Sequence, residues 1–232
     1  MQENQRIFTF RVIFQLLLFI VLIPFLPLLI SQKWNWWEAW VYAICAILTF
    51  VISRLLAAKR HPDIINERAK IMQHEDIQPW DKQLAPLLGI SGIVVMVVAG
   101  LDQLFEWSTP YDRWIKIIAL IIMLAGYVLV SYAFIENRFF SAEVRLQIDR
   151  GHQVVSTGPY RWIRHPGYSG GILTYLVTPL FLDSLWAFLP TLLVVALVVM
   201  RTKLEDNFLL DELLGYREYA KQVRYRLLPG VW

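Results

Sequence analysis

The sequence predicts an all-α, polytopic membrane protein with about six transmembrane helices and a cytoplasmic C-terminal helical segment. Three observations predict it: uncharged apolar runs of membrane-crossing length, basic residues gathered on alternate connections, and tryptophans clustered where one run meets an interface. Of 232 residues, 57% are hydrophobic and 18% charged, more apolar sequence than one soluble core of this size needs. Segments 12–30, 84–101, 117–135 and 184–200 contain no charge. A helix rises about 1.5 Å per residue, so runs of about 18 or more cross a hydrocarbon core about 30 Å thick.

In chain order the spans are expected near 8–30, 36–57, 84–101, 114–135, 167–182 and 184–200. The first has too long an apolar stretch for a cleaved signal peptide, and it ends in Pro24, Pro27 and tryptophans rather than small residues. The second opens on Trp34, Trp36, Trp37 and Trp40, as an aromatic belt does. It carries the only cysteine, Cys45, which has no second cysteine or nearby histidine to pair with and reads as packing. The fifth is short and glycine-rich, expected as a tilted or partial crossing.

Alternating six spans from a cytoplasmic N-terminus puts 19 of the 22 Lys and Arg on the cytoplasmic side, with Lys33, Arg113 and Lys116 opposite. That asymmetry is a positive-inside signal and favours an even number of crossings. The net charge of +3 therefore reads as topology and contact with anionic headgroups, not nucleic-acid binding. Both termini and the working face are expected in the cytoplasm.

The long polar stretches, 58–83, 136–166 and 201–232, all fall on that side, where a soluble ligand would be handled. Segment 58–83 reads either as a solvated connector or as an interfacial helix anchored by Trp80. His61 and His74 have no supporting ligand pattern, so no metal site is expected. Segment 144–171 is the most informative. Gly158-Pro159 and Pro166-Gly167 punctuate it, with Tyr160, Arg161, Arg164 and His165 between them and Tyr168 after. Gly167, Gly170 and Gly171 let a ligand or another helix approach the next backbone, and that helix start favours an anion. An interfacial loop touching lipid phosphates is the simpler reading of the same residues. In 201–232, Arg201 and Glu205 share a helix face, a surface ion pair being the plainer reading, and Gly215 suits a helix end.

The stretch Thr157-Gly158-Pro159-Tyr160-Arg161-Trp162-Ile163-Arg164-His165-Pro166-Gly167-Tyr168-Ser169-Gly170 resembles the core motif of the isoprenylcysteine carboxyl methyltransferase family and the related phospholipid methyltransferases. So does the later pattern of Arg201, Glu205, Asp206, Leu209, Gly215, Glu218, Tyr219, Leu228, Pro229 and Gly230. The resemblance covers residues 114–232, expected as the catalytic region, while 1–113 supplies N-terminal transmembrane helices and a connector.

The resemblance implies an S-adenosylmethionine-dependent methyltransferase, releasing S-adenosylhomocysteine, with its site at the cytoplasmic interface and no Rossmann unit. No strand–GxGxxG–helix unit occurs in the sequence, which agrees. Carried over by motif, the cofactor contacts are His152, Gln153, Val154, Val155, Tyr160, His165, Pro166, Gly167, Tyr168 and Glu205, with Gln147 aligned across a gap. Arg201 and Glu205 are the implied catalytic pair, Arg201 meeting a substrate carboxylate. The family's acidic pair is Glu-Glu. Here it is Glu205-Asp206, with one extra residue before Gly215, so either acid fits the cofactor position. The implied partner is a membrane lipid or lipidated small molecule in the bilayer, with methylation of a carboxylate expected. Three alternatives stand beside it: a phospholipid or amine N-methyltransferase, an NADPH-dependent sterol-reductase-like enzyme, and a silent lipid-binding protein. The stretch Arg164 to Gly171 lacks the Asn and Asp of the reductase motif, which weighs against the second.

Overall fold

In the computed structural model, which describes residues 18–64, 67 and 74–232, the apolar runs are helices that end where charge or a turn residue resumes. A π-helical turn, Leu18–Leu22, leads into α1 (Ile23–Ser31). Then come α2 (Trp37–Arg60), α3 (Asp81–Phe105), α4 (Arg113–Glu136), α5 (Pro166–Phe181), α6 (Phe188–Glu212) and the short α7 (Tyr216–Gln222). Among the described residues there is no strand. The expected first span is described only from residue 18, and within 58–83, where an interfacial helix is expected, residues 65, 66 and 68–73 lie outside the described residues.

Three helices, α2, α3 and α4, are long and apolar enough to cross a bilayer. Their outward faces show why they need one: Ile52, Ile118 and Val128 are 50%, 57% and 67% exposed, and apolar rows of that extent do not persist in water. The six expected crossings are a finer matter. The described part of the first is a short apolar helix, Ile20–Ser31. Helix α5 has 16 residues, about 24 Å of rise, less than a hydrocarbon core. Helix α6 begins apolar and runs on past Met200 into charged sequence.

The core lies between these helices, around Leu28, Val95, Met96, Met123, Phe181 and Val194. Helices α4 and α5 pack most extensively, and glycine is the reason. A Cβ on Gly170 would sit 2.6 Å from the Gly126 carbonyl oxygen, so the two backbones touch, as small residues allow in lipid. Ser91, Thr174 and Thr178 donate to carbonyls one turn back at 2.8, 3.0 and 2.8 Å, which satisfies their hydroxyl protons inside the apolar layer.

Polar clamps close the end of the bundle that carries the short connections. Lys116 reaches Glu38 and Asp183, each at 2.5 Å. Asp102 accepts from the Ser108 amide at 2.8 Å and from the Ser108 and Ser184 hydroxyls at 2.7 and 2.6 Å. Helix polarity thereby puts the starts of α3, α5 and α7 and the ends of α2, α4 and α6 together at the other, arginine-rich end.

Candidate active site

Pro166 opens α5, where its missing N–H costs nothing, and the residues just before it pair with the C-terminal stretch. The Arg164 and His165 amides donate to the carbonyls of Tyr225 and Arg226, both at 2.9 Å. The Ser169 hydroxyl donates to the Leu227 carbonyl at 2.7 Å. Gly215, at φ +83°, takes the left-handed turn that separates α6 from α7 and lets the chain fold back for this pairing.

Asp206 sits at the centre of the group, with 0% of its surface exposed. Arg164 donates to it bidentately at 2.7 and 2.8 Å, Arg226 at 2.7 Å and the Tyr216 hydroxyl at 2.9 Å. His165 Nε2 lies 3.2 Å away. Burial alone would keep this carboxyl protonated. The hydrogen bonds from His165, Arg164 and Arg226 outweigh that and hold it well below the usual carboxylate range. Burial likewise pushes the Tyr216 hydroxyl up, with the Asp206 charge adding to it. Asp206 is fully committed.

Glu205 is not. The side chain of the preceding residue on a helix points about 100° away, which turns Glu205 toward Tyr168. The Tyr168 hydroxyl donates to its Oε2 at 2.5 Å, and Oε1 has no hydrogen-bond partner among the described residues. The Tyr168 ring stacks on His165, centroids 5.8 Å apart, and the Arg201 guanidinium lies 5.7 Å from the centre of the same ring. Gly171, one turn further along α5, has nothing within 4 Å of where a side chain would begin, so the space beside Tyr168 stays open.

Arg201 does not pair with Glu205, although both share one helix face. Its Nε and Nη2 donate to the two carboxylate oxygens of Asp81 at 2.8 and 2.9 Å. Nη2 also reaches the Ala142 carbonyl at 2.6 Å. Asp81 Oδ2 accepts the Val144 amide as well, at 2.7 Å. Asp81 begins α3 in a stretch that carries no recognisable motif. The clue available in the sequence was a lone carboxylate at the mouth of an apolar run, a place that requires a partner.

The loop residues are placed more variously. Tyr160 is buried, its hydroxyl 3.3 Å from the Ala133 carbonyl and its own carbonyl accepting from the Tyr219 hydroxyl at 2.7 Å. Val154 and Val155 pack against the buried cluster of Tyr160, Leu213, Tyr216 and Tyr219. Gln147 is committed to the loop itself, donating to the Phe139 carbonyl at 2.8 Å and accepting from Arg150. His152 lies against Phe139, ring centres 4.6 Å apart, and its Nδ1 accepts the Gln147 amide at 3.3 Å. Burial, with Arg145 and Arg150 nearby, pulls its pKa down to about 4. Gln153 is exposed. The structure thus gathers Tyr168, His165, Glu205 and Arg201 into one contact group. Gln147 and His152 serve as braces of the loop beside it.

Three comparisons bear on this arrangement. The Phospholipid methyltransferase family profile matches residues 114–215. Two rice proteins, from Oryza sativa subsp. indica and subsp. japonica, are each described as a probable protein-S-isoprenylcysteine O-methyltransferase. Each is 26% identical over 138 residues, 56% of this chain and 72% of the relative. A solved eukaryotic intramembrane Ras methyltransferase, an isoprenylcysteine carboxyl methyltransferase, shares the fold with a TM-score of 0.63 and 21% identity, over 92% of this chain and 74% of that one. The profile match runs from the start of α4 through Tyr168 and Glu205, the residues that meet at the open side of α5. With the two relatives and the common fold, it makes this chain similar to membrane methyltransferases of the phospholipid and isoprenylcysteine carboxyl methyltransferase kinds.

Proposed function

We propose that this enzyme moves the methyl group of S-adenosylmethionine onto a carboxylate of a lipidic, membrane-embedded substrate. The observation that carries the reading is the meeting of Tyr168, Glu205 and Arg201 beside the open face of α5. The residues fit the cofactor: a carboxylate with one uncommitted oxygen, next to a tyrosine face and largely out of water, is what a desolvated sulfonium requires. Glu205 and Tyr168 would hold the sulfonium end, with Tyr160, His165 to Gly167 and the loop His152 to Val155 toward the remainder.

When bound, the cofactor supplies an electrophilic methyl group. The chain's own task is alignment. Arg201 retains Nη1, which has no hydrogen-bond partner among the described residues, to orient an anionic oxygen of the substrate. A carboxylate is already a nucleophile, so no side chain needs to take a proton, and alignment alone supplies several kcal/mol of barrier lowering. Tyr168 and the open face at Gly171 leave room for an apolar chain entering from lipid. In this reading the six expected spans all cross, α5 as a tilted segment. The arginine-rich end faces the cytosol, residues 114–232 form the catalytic region, and the remainder is scaffold and lipid-side entrance.

A second reading has one observation in its favour. Because Asp81 already occupies two nitrogens of Arg201, an amine-bearing phospholipid would also suit the site, with Glu205 accepting the proton the amine must lose. Methyl transfer from labelled cofactor in native membranes separates the two, since a methyl ester is released by mild alkali and an N-methyl group is not.

The direct test is calorimetry of S-adenosylhomocysteine with purified protein. Wild type is expected to bind, and Glu205→Ala and Tyr168→Phe to weaken binding. Unchanged affinity in both variants would show that the cofactor sits elsewhere.

A further inference from the structure

Asp81 stands outside the region matched by the family profile, yet it holds the residue expected to meet the substrate. It is wholly enclosed, 0% exposed, and takes three donors: Arg201 Nε, Arg201 Nη2 and the Val144 amide. One explanation is mechanical, a rivet joining α3, the loop after α4, and α6. The charges around it point further.

Arg201 and Glu205 both address Tyr168, one beside its ring and one at its hydroxyl. A sulfonium placed against Glu205 therefore lies within a few ångströms of a guanidinium, and an uncompensated guanidinium there would repel it as strongly as Glu205 attracts it. Behind His165, Arg164 and Arg226 share the single carboxylate of Asp206. That neighbouring group has a surplus positive charge, so a second bare cation would compound the repulsion. With Asp81 present, the set Asp81, Arg201 and Glu205 carries one net negative charge, the complement of a sulfonium.

We infer that Asp81 is a positioning residue for methyl transfer, neutralising Arg201 so that the site accepts a sulfonium beside it while Nη1 stays pointed at the substrate. The inference rests on the cofactor reading above. It assigns the first half of the chain a part in cofactor selection, and it makes the Asp81–Arg201 pair the element that sets preference for a cationic sulfur over a neutral one.

The test compares affinity for S-adenosylmethionine, which carries the charge, with that for S-adenosylhomocysteine, which lacks it. Asp81→Asn leaves Arg201 bare, and the affinity ratio is expected to fall about tenfold against the charged ligand. Arg201→Gln leaves the carboxylates in excess and is expected to raise the ratio. The double variant is expected to return it to the wild-type value. A purely mechanical rivet would weaken both ligands by the same factor, and that outcome in Asp81→Asn overturns the inference. If Asp81→Asn does not survive solubilisation, Arg201→Gln decides, because an unchanged ratio there overturns it equally. Wild-type protein that binds neither ligand overturns the cofactor reading instead.

Discussion

The two ends of this bundle are built from the same kinds of residue and behave differently. At the short-connection end, Glu38, Asp102 and Asp183 are buried and answered by Lys116, by serine hydroxyls and by backbone amides. At the arginine-rich end, Asp81 and Asp206 are answered as completely, but Glu205 has only the Tyr168 hydroxyl. A carboxylate taken out of water is stable only when its lone pairs are met. The closed clusters therefore read as clamps, and Glu205, beside Tyr168, is where the proposed ligand would complete the arrangement.

The comparison can be broken most severely at Asp206. Replacing it by Asn should strip Arg164 and Arg226 of their shared partner and cost about 3–5 kcal/mol, as losing one member of a buried charged group does. Thermal unfolding in detergent would show it, and a variant that melts like wild type would mean the cluster is not a clamp. Glu205→Gln is expected to do the reverse, leaving the melting temperature close to wild type while lowering turnover about 100-fold, the size typical for one electrostatic contact in an active site. A smaller loss belongs to Asp102→Ala at the opposite end, about 1–3 kcal/mol of stability from its unmet donors. It should leave affinity for S-adenosylhomocysteine untouched, and a changed affinity would erase the division between clamp and site.

The smallest expected effect is a pH response at His152. Burial first, then Arg145 and Arg150, depress its pKa to about 4 in the fold, against about 6.5 in the unfolded chain. The unfolded state then binds more protons between those values, so the stability contributed by neutral His152 is complete above about pH 6.5 and declines as pH falls toward 4. His152→Phe, which keeps the ring against Phe139, should flatten that part of the melting profile, and an unaltered slope would exclude His152 as its source.

Three of the six expected spans were legible because the bilayer reads the same variable as the eye, a run without charge. The expected 114–135 became Arg113–Glu136 and the expected 84–101 became Asp81–Phe105. The meeting of Tyr168 with Glu205 followed from two motifs on either side of one hydrophobic hairpin. The sequence left Glu205 and Asp206 equivalent, because only the rotation of α6 against α5 decides which of two adjacent residues faces inward. Arg201 illustrates the other limit. Spacing along α6 suggested Glu205 as its neighbour, whereas its partner is 120 residues away, and no local pattern encodes a contact of that separation.

The pairing of residues 164–169 with the C-terminal stretch also carries an order of events. Ser169 finds its acceptor 58 residues later in the chain, and Arg164 meets the Val223 carbonyl after 59. During synthesis the helices α1 to α6 are available for insertion before residues 223–227 have left the ribosome. The membrane-embedded scaffold can therefore be complete while its motif loop still lacks the backbone partners that fix it. The motif loop of this protein would then be fixed after its helices are in place, when residues 223–227 close around Arg164 and Ser169.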